Sequence, residues 1–189
     1  MIGRSNKVLF IEGTADDTNG ALRIGFGNLL KQELDGKMPR IIMGNGVSET
    51  INHFKNKQSP QKATLIDLDG KGTNITQGNY DQAKTSKRKL HNLSSSDLVY
   101  FMVQKMEAWF LSQPDVLKKY FGKEFNKIPF DHPSKIELPD DILMDLTKEL
   151  KFKSYHKVRD GSRLLEKLDL SKLKSSFPDV KELVEKLNS

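Results

Sequence analysis

The stretch Thr64–Gly72 reads TLIDLDGKG. Apolar residues run up to Asp67, a second acid follows at Asp69, and Gly70 closes the run. The pattern predicts a short strand ending in acids, with Asp67 and Asp69 on one face because side chains alternate along a strand. Burying an unpaired charge is costly, so two carboxylates that close need a counter-charge. What supplies it depends on what else reaches the same edge of the sheet.

Three further segments read as strands. Lys7–Gly13 (KVLFIEG) is a continuous apolar run closed by Glu12 and Gly13, the pattern of a strand buried on both faces. Pro39–Gly46 (PRIIMGNG) is stopped by glycines, and Asp97–Val103 (DLVYFMV) is a fourth run. Helices are predicted between them. Leu22, Phe26, Leu29 and Leu30 fall at helical spacing within Ala21–Gly36, and Gly36 suits the helix end. Val47–Gln58 reads as a second helix, with Ser48 as its cap and Ile51 and Phe54 on one face. A polar loop, Gly70–Tyr80, precedes a basic helix over Asp81–Leu93. Strand and helix alternate throughout, which predicts an α/β fold: a Rossmann-like parallel sheet of about four strands covered on both faces by helices.

From Met106 onward the pattern is helical only. MEAWFLSQ and PDVLKKYFG are followed by a proline-rich connection, Ile128–Pro139, and then by helices over Asp140–Lys151, about Arg159–Leu168, and Pro178–Leu187. The expected organisation is an α/β domain over residues 1–112 and an α-helical extension over 113–189 that packs onto it.

Ligands of parallel α/β sheets bind at the carboxyl ends of the strands. Glu12 ends the first strand, Asp67 and Asp69 end the third, Glu107 follows the fourth, and Asp16 lies just past the first turn. A divalent cation would relieve the mutual repulsion of such acids. Mg²⁺ favours a few carboxylates with retained waters, and such a site also takes phosphate oxygens. Glu107 has a second reading, as an acid favoured in the first turn of a helix.

The chain has 189 residues, a formal net charge of +6 and no cysteine. The size fits one good core, and the basic balance favours polyanionic partners such as nucleic acid. The lack of cysteine excludes disulfides, thiol catalysis and Cys-based zinc sites. No run approaches the roughly 20 apolar residues of a membrane helix, and the N-terminus lacks signal-peptide features, so a cytoplasmic location and no membrane partner are expected. No Walker motif is present. Lys84, Lys87, Arg88 and Lys89 form a basic run that either tracks a nucleic-acid backbone or is a solvated helix face. Gly44 and Gly46 fit a tight turn better than a phosphate loop, and Trp109 fits the core better than a base-stacking platform. His53, His91 and His132 show no ligand spacing.

A first strand ending in Glu-Gly and a third ending in Asp-x-Asp resemble the Toprim fold. Ile11–Asp17 (IEGTADD) resembles the version found in nucleases of the overcoming-lysogenization-defect family, with Asp16 where that motif carries a longer glutamate and Asp17 as a nearby substitute. More of the chain is similar to a family of Toprim-like bacterial proteins described as domain of unknown function 4276. The matching pieces are VLFIEG, LIDLDG, KMEAWFLSQPDVLKKYFG, SYHKVRDG and the closing SSFPDVKELVEKL. The resemblance implies an Mg- or Mn-dependent nuclease or phosphodiesterase, acting on DNA or RNA in phage defence. Glu12 would act as general acid/base or metal ligand, Asp67 and Asp69 would bind metal, and Asp16 and Glu107 would help hold a second ion. Lys157, helped by Arg159, would bring positive charge to a phosphoryl transition state, and His156 would shuttle protons. The implied partners are nucleic acid and an ATPase, with self-association a further expectation. Two other readings stand beside this one: a non-catalytic metal-binding or regulatory subunit of an ATPase complex, and an enzyme acting on a small phosphate ester or nucleotide.

Overall fold

Every residue of β1 from Val8 to Ile11 is buried, which is what its unbroken apolar run requires of a central strand. The structure is a computed structural model in which residues 6–14, 19–59, 61–68, 98–122, 136, 138–150 and 153–189 are described. The strands are β1 (Val8–Gly13), β2 (Arg40–Asn45), β3 (Lys62–Asp67) and β4 (Val99–Met102). They form one parallel sheet in the order β2-β1-β3-β4. The helices among the described residues are α1 (Asn19–Leu34), α2 (Val47–Asn56), α3 (Met106–Leu111), α4 (Pro114–Phe121), α5 (Pro139–Thr147), α6 (Lys157–Leu165), α7 (Leu170–Ser176) and α8 (Pro178–Asn188). The expected α/β architecture, a parallel sheet of four strands flanked by helices, is therefore the one found, and it is Rossmann-like.

Alternation along β1 divides the core. Val8 and Phe10 pack with Phe54 of α2, the two rings meeting edge-on at 5.9 Å. Leu9 and Ile11 join a larger cluster with Leu22, Phe26 and Leu29 of α1 and with the apolar residues of α6, α7 and α8. Trp109 of α3 is buried in that cluster between Phe26 and Phe177, so it is a core residue.

α6 lies against α1, and the crossing is close. A Cβ on Gly25 would stand 2.8 Å from the Ser162 carbonyl oxygen. α8 packs on β4 and α1. β4 is the last strand in the described order, and its outward Phe101 amide donates to the Asp179 carboxylate at 2.6 Å. A side chain from α8 thus satisfies a strand-edge donor that would otherwise be buried without a partner.

The structure differs from the sequence reading in four local features. α2 is preceded by Gly46 at φ 84° with no side-chain cap, and Ser48 lies inside the helix. The Thr50 hydroxyl instead donates to the Gly46 carbonyl. β4 begins at Val99 among the described residues, later than expected, and α6 begins at Lys157, earlier than expected. α7 was not predicted at all. It has seven residues, is rich in Ser and Lys, and is started by the Asp169 side chain, which accepts from the Lys172 amide. The polar loop and basic helix expected over residues 70–93 lie outside the described residues.

Candidate functional site at the carboxyl edge of the sheet

β1 and β3 are adjacent and parallel, so their last residues reach the same edge. Glu12 uses this. Its Oε2 accepts the backbone amide of Asp67 at 2.8 Å, which ties the acid of the first strand to the end of the third. Asp67 in turn accepts the Met106 amide on Oδ1 at 3.1 Å, at the start of α3. One strand-end acid is thereby placed on the other, and the second is placed on the next helix.

Two further charges come from C-terminal elements. Glu107, in the first turn of α3, has no exposed surface. Its Oε1 accepts the Tyr155 hydroxyl at 2.8 Å, while its Oε2 is buried with no hydrogen-bond partner among the described residues. Lys157 opens α6, and its Nζ lies 3.7 Å from Asp67 Oδ2 and 3.7 Å from Glu107 Oε1. Burial works to lower the Lys157 pKa, but the carboxylates of Glu107, Asp67, Glu12 and Asp140 outweigh it and hold the ammonium above its ordinary value. Burial, and then the charge and hydrogen bond of Glu107, push the Tyr155 hydroxyl well above its ordinary value.

Glu12, Thr14, Asp67, Met102, Met106 and Lys157 line a cleft of about 30 Å³ here, room for a water-sized occupant. Asn19, which the sequence reading did not single out, braces Thr14 of the cleft lining. Its side chain accepts the Thr14 amide at 3.0 Å and donates to the Thr14 carbonyl and to Asn45 at the end of β2. One residue thus fastens β1, β2 and the start of α1. Asn in front of an apolar helical run is the kind of residue that favours such local bonds.

The start of α6 is fixed independently. The buried Asp160 carboxylate accepts the His156 amide, the Tyr120 hydroxyl and the Arg159 guanidinium. Burial raises the Asp160 pKa, but these donors together hold it below its ordinary value. Arg159 is therefore spent on Asp160 and does not join Asp67 or Glu107.

The structure thus brings together Glu12, Asp67, Glu107 and Lys157. It leaves Arg159 on Asp160 and the His156 side chain exposed. Asp16, Asp17, Asp69, Lys84, Lys87, Arg88, Lys89, His91 and His132 lie outside the described residues. Tyr155 is the functional neighbour that sequence reasoning gave no role. Gly44 approaches α2 so closely that an added Cβ would stand 2.7 Å from Thr50 Cα, so its small size serves packing.

The acids that line the cleft, Glu12 and Asp67, offer hard carboxylate oxygens of the kind that suits Mg²⁺ or Mn²⁺. Among the described residues, no three acids or histidines come together in a metal-holding group. Glu12 and Asp67 supply the described acids that line the cleft. No helix among the described residues is long and apolar enough to cross a membrane.

A family model described as Domain of unknown function (DUF4276) matches residues 24–188, a span that holds Asp67, Glu107, Tyr155 and Lys157 and leaves Glu12 outside. No curated protein and no solved structure matches the chain.

Proposed function

The chain belongs to the family described as Domain of unknown function (DUF4276), and from the site it carries we propose that it is a Toprim-like, Mg- or Mn-dependent hydrolase of phosphodiesters in nucleic acid. The observation that carries the reading is the meeting of Glu12, Asp67 and Lys157 at one cleft on the carboxyl edge of a parallel sheet. That edge is where open α/β sheets place their ligands. A mixture of carboxylates and one ammonium suits a phosphodiester, whose non-bridging oxygens are anionic and whose leaving oxygen gains negative charge in the transition state.

Glu12 and Asp67 would hold the ion, with Asp16 and Asp69 as the further acids the sequence supplies. A bound divalent ion would polarise the phosphate and lower the pKa of an attacking water. The rest falls to the chain. Glu12 is held by the Asp67 amide, so its carboxylate is fixed at the cleft wall, where it can take or return a proton. Lys157 presents its charge to the phosphate from the opposite element. The net charge of +6 favours a polyanionic substrate over a neutral one. The basic run from Lys84 to Lys89 would hold the strand, and an ATPase partner in phage defence remains part of the proposal.

A second reading has its own observation. Backbone amides and Lys157 already satisfy Glu12, Asp67 and Glu107 in part, and a network of that kind can stand as structure in a non-catalytic subunit. Calorimetry with Mg²⁺ and Mn²⁺ on wild type and Asp67→Asn, with plasmid and single-stranded RNA cleavage on the same samples, separates the two. Asp67→Asn keeps the acceptor for the Met106 amide and removes the charge. Metal-dependent cleavage lost in the variant supports the hydrolase. Metal binding without cleavage supports the subunit. No metal binding by wild type rejects the hydrolase and leaves Glu12, Asp67 and Glu107 as a structural network.

A further inference from the structure

Glu107 differs from the other acids of the site. Glu12 and Asp67 line the cleft, whereas Glu107 is fully buried behind it. A metal ligand needs a lone pair facing an open coordination position. Glu107 has Oε1 occupied by the Tyr155 hydroxyl and Oε2 enclosed, with no partner among the described residues. An enclosed carboxylate is tolerated when a cation answers it, and Lys157 at 3.7 Å is that cation. We propose that Glu107, together with Tyr155, is the buried fixture that aims the Lys157 ammonium into the cleft, where the lysine serves as the site's second cation in place of a second metal ion.

Geometry on both sides of Lys157 supports this. Tyr155 is itself fixed: its amide donates to Thr147 Oγ1 at 2.8 Å and its ring lies edge-on to Phe110 at 6.3 Å. It cannot follow Glu107 if Glu107 moves. Two residues further on, the Asp160 bonds hold the first turn of α6, so the Lys157 backbone is as constrained as its side-chain partner. The ammonium stands equidistant, at 3.7 Å, from an acid that lines the cleft and an acid that does not. A divalent ion placed between Asp67 Oδ2 and Glu107 Oε1 would compete with the ammonium that already stands 3.7 Å from both. Lys157 and Tyr155 are positioned by the same buried acid, and Tyr155 acts through Glu107 rather than on substrate.

This inference rests on the metal-dependent reading above, and its test separates the two. Mn²⁺ stoichiometry and affinity are measured by electron paramagnetic resonance on wild type, Glu107→Gln and Tyr155→Phe. The Lys157 ammonium signal is followed in ¹⁵N-labelled protein by NMR, and the fold is checked by circular dichroism. Wild type is expected to bind one Mn²⁺. Both variants are expected to keep one ion with affinity within about tenfold, while the shifted, exchange-protected Lys157 signal collapses towards that of the solvent-exposed lysines. Loss of Mn²⁺ binding in folded Glu107→Gln, or two ions in wild type, overturns the proposal. So does a Lys157 signal unchanged in Tyr155→Phe, a variant that keeps both charges and carries the test should Glu107→Gln fail to fold. If wild type binds no Mn²⁺, the metal reading and the second-cation role fall together, and the Lys157 signal still decides whether Glu107 and Tyr155 aim the lysine.

Discussion

Lys157 Nζ and Glu107 Oε1 lie 3.7 Å apart, one partly exposed at a cleft and the other without any accessible surface. The pair is asymmetric in its consequences. Removing the lysine strands a buried negative charge, while removing the glutamate frees an ammonium that can reach water. Leaving a buried charge without its partner costs about 3–5 kcal/mol in fully buried pairs, and the loss here is smaller because Lys157 is partly exposed.

That asymmetry gives the first prediction. Lys157→Met removes a positive charge beside the proposed metal position. Relief of that repulsion is roughly 1.4 kcal/mol or more at separations of several ångströms. Mn²⁺ should therefore bind at least about tenfold tighter. Cleavage should fall by about a hundredfold or more, since the charge that faces the phosphate is gone. Binding and turnover move in opposite directions, which a lysine acting only as structural support would not produce. Titration calorimetry and cleavage rates on one preparation read both. The Lys157→Met/Glu107→Gln double variant removes both partners and guards against simple unfolding of the single one.

The pH dependence of stability follows from the same residues. Tyr155 and Lys157 have folded pKa values above their ordinary 10.0 and 10.5. The folded state thus favours their protonated forms. Their contribution is complete below about pH 10 and is lost as pH rises through the higher folded values. Asp140 and Asp160 are held below their ordinary 3.8, Asp140 chiefly by the Lys105 ammonium, which overcomes burial. Their contribution is present above that value and lost as pH falls through the lower folded ones. Urea midpoints should be flat between about pH 5 and 9 and fall on both sides. In Tyr155→Phe the alkaline fall should be shallower. An alkaline limb identical to wild type would show that the hydroxyl is not held by Glu107.

The strands were legible because both faces of this sheet are covered. A continuous apolar run such as Val8–Ile11 has one physical explanation at that length, and the acids that end such runs stand at the carboxyl edge by construction. Glu12 and Asp67 could be placed in that way. The approach of Tyr155 and Lys157 to Glu107 could not. Tyr155 and Glu107 are 48 positions apart, and a single contact between a loop and a helix leaves no period to read. Arg159 shows the converse. Two residues after Lys157 in sequence, it looked like a helper, but the turn of the helix sends the two side chains apart and gives it to Asp160. α7 was invisible because two apolar residues, Leu170 and Leu173, are too few to establish a helical stripe.

Asp179 tests how the C-terminal helices hold the sheet. Its carboxylate accepts the Phe101 amide at 2.6 Å while itself nearly inaccessible. Asp179→Ala leaves that strand amide buried without an acceptor, at a cost of about 1–3 kcal/mol. Asp179→Asn keeps an oxygen acceptor and should cost less than half as much. Urea unfolding of the three proteins ranks them. Equal losses for Ala and Asn would mean that the carboxylate's charge, not the strand bond, is what matters there.

Two glycines of α1 should respond to the same substitution with opposite sign. Alanine in a helix interior is favoured over glycine by up to about 1 kcal/mol. Among the described residues nothing lies within 4 Å of where a Cβ on Gly27 would stand, so Gly27→Ala should stabilise by about that amount. Gly25 faces α6, where the new methyl would meet the Ser162 carbonyl oxygen at 2.8 Å, Ser162 Cα at 3.0 Å and Leu165 Cβ at 3.1 Å. Two of those neighbours are backbone and cannot rotate away, so α6 itself must shift. Overpacking of that kind costs about 1–3 kcal/mol, more than the helical preference returns. Gly25→Ala should therefore lower the urea midpoint while Gly27→Ala raises it. The shift would also move Lys157, five residues ahead of Ser162 on the same helix, so Gly25→Ala should weaken the proposed cleavage beyond what its stability explains. A Gly25→Ala protein as stable and as active as Gly27→Ala would mean that α1 and α6 do not cross as closely as the 2.8 Å contact requires.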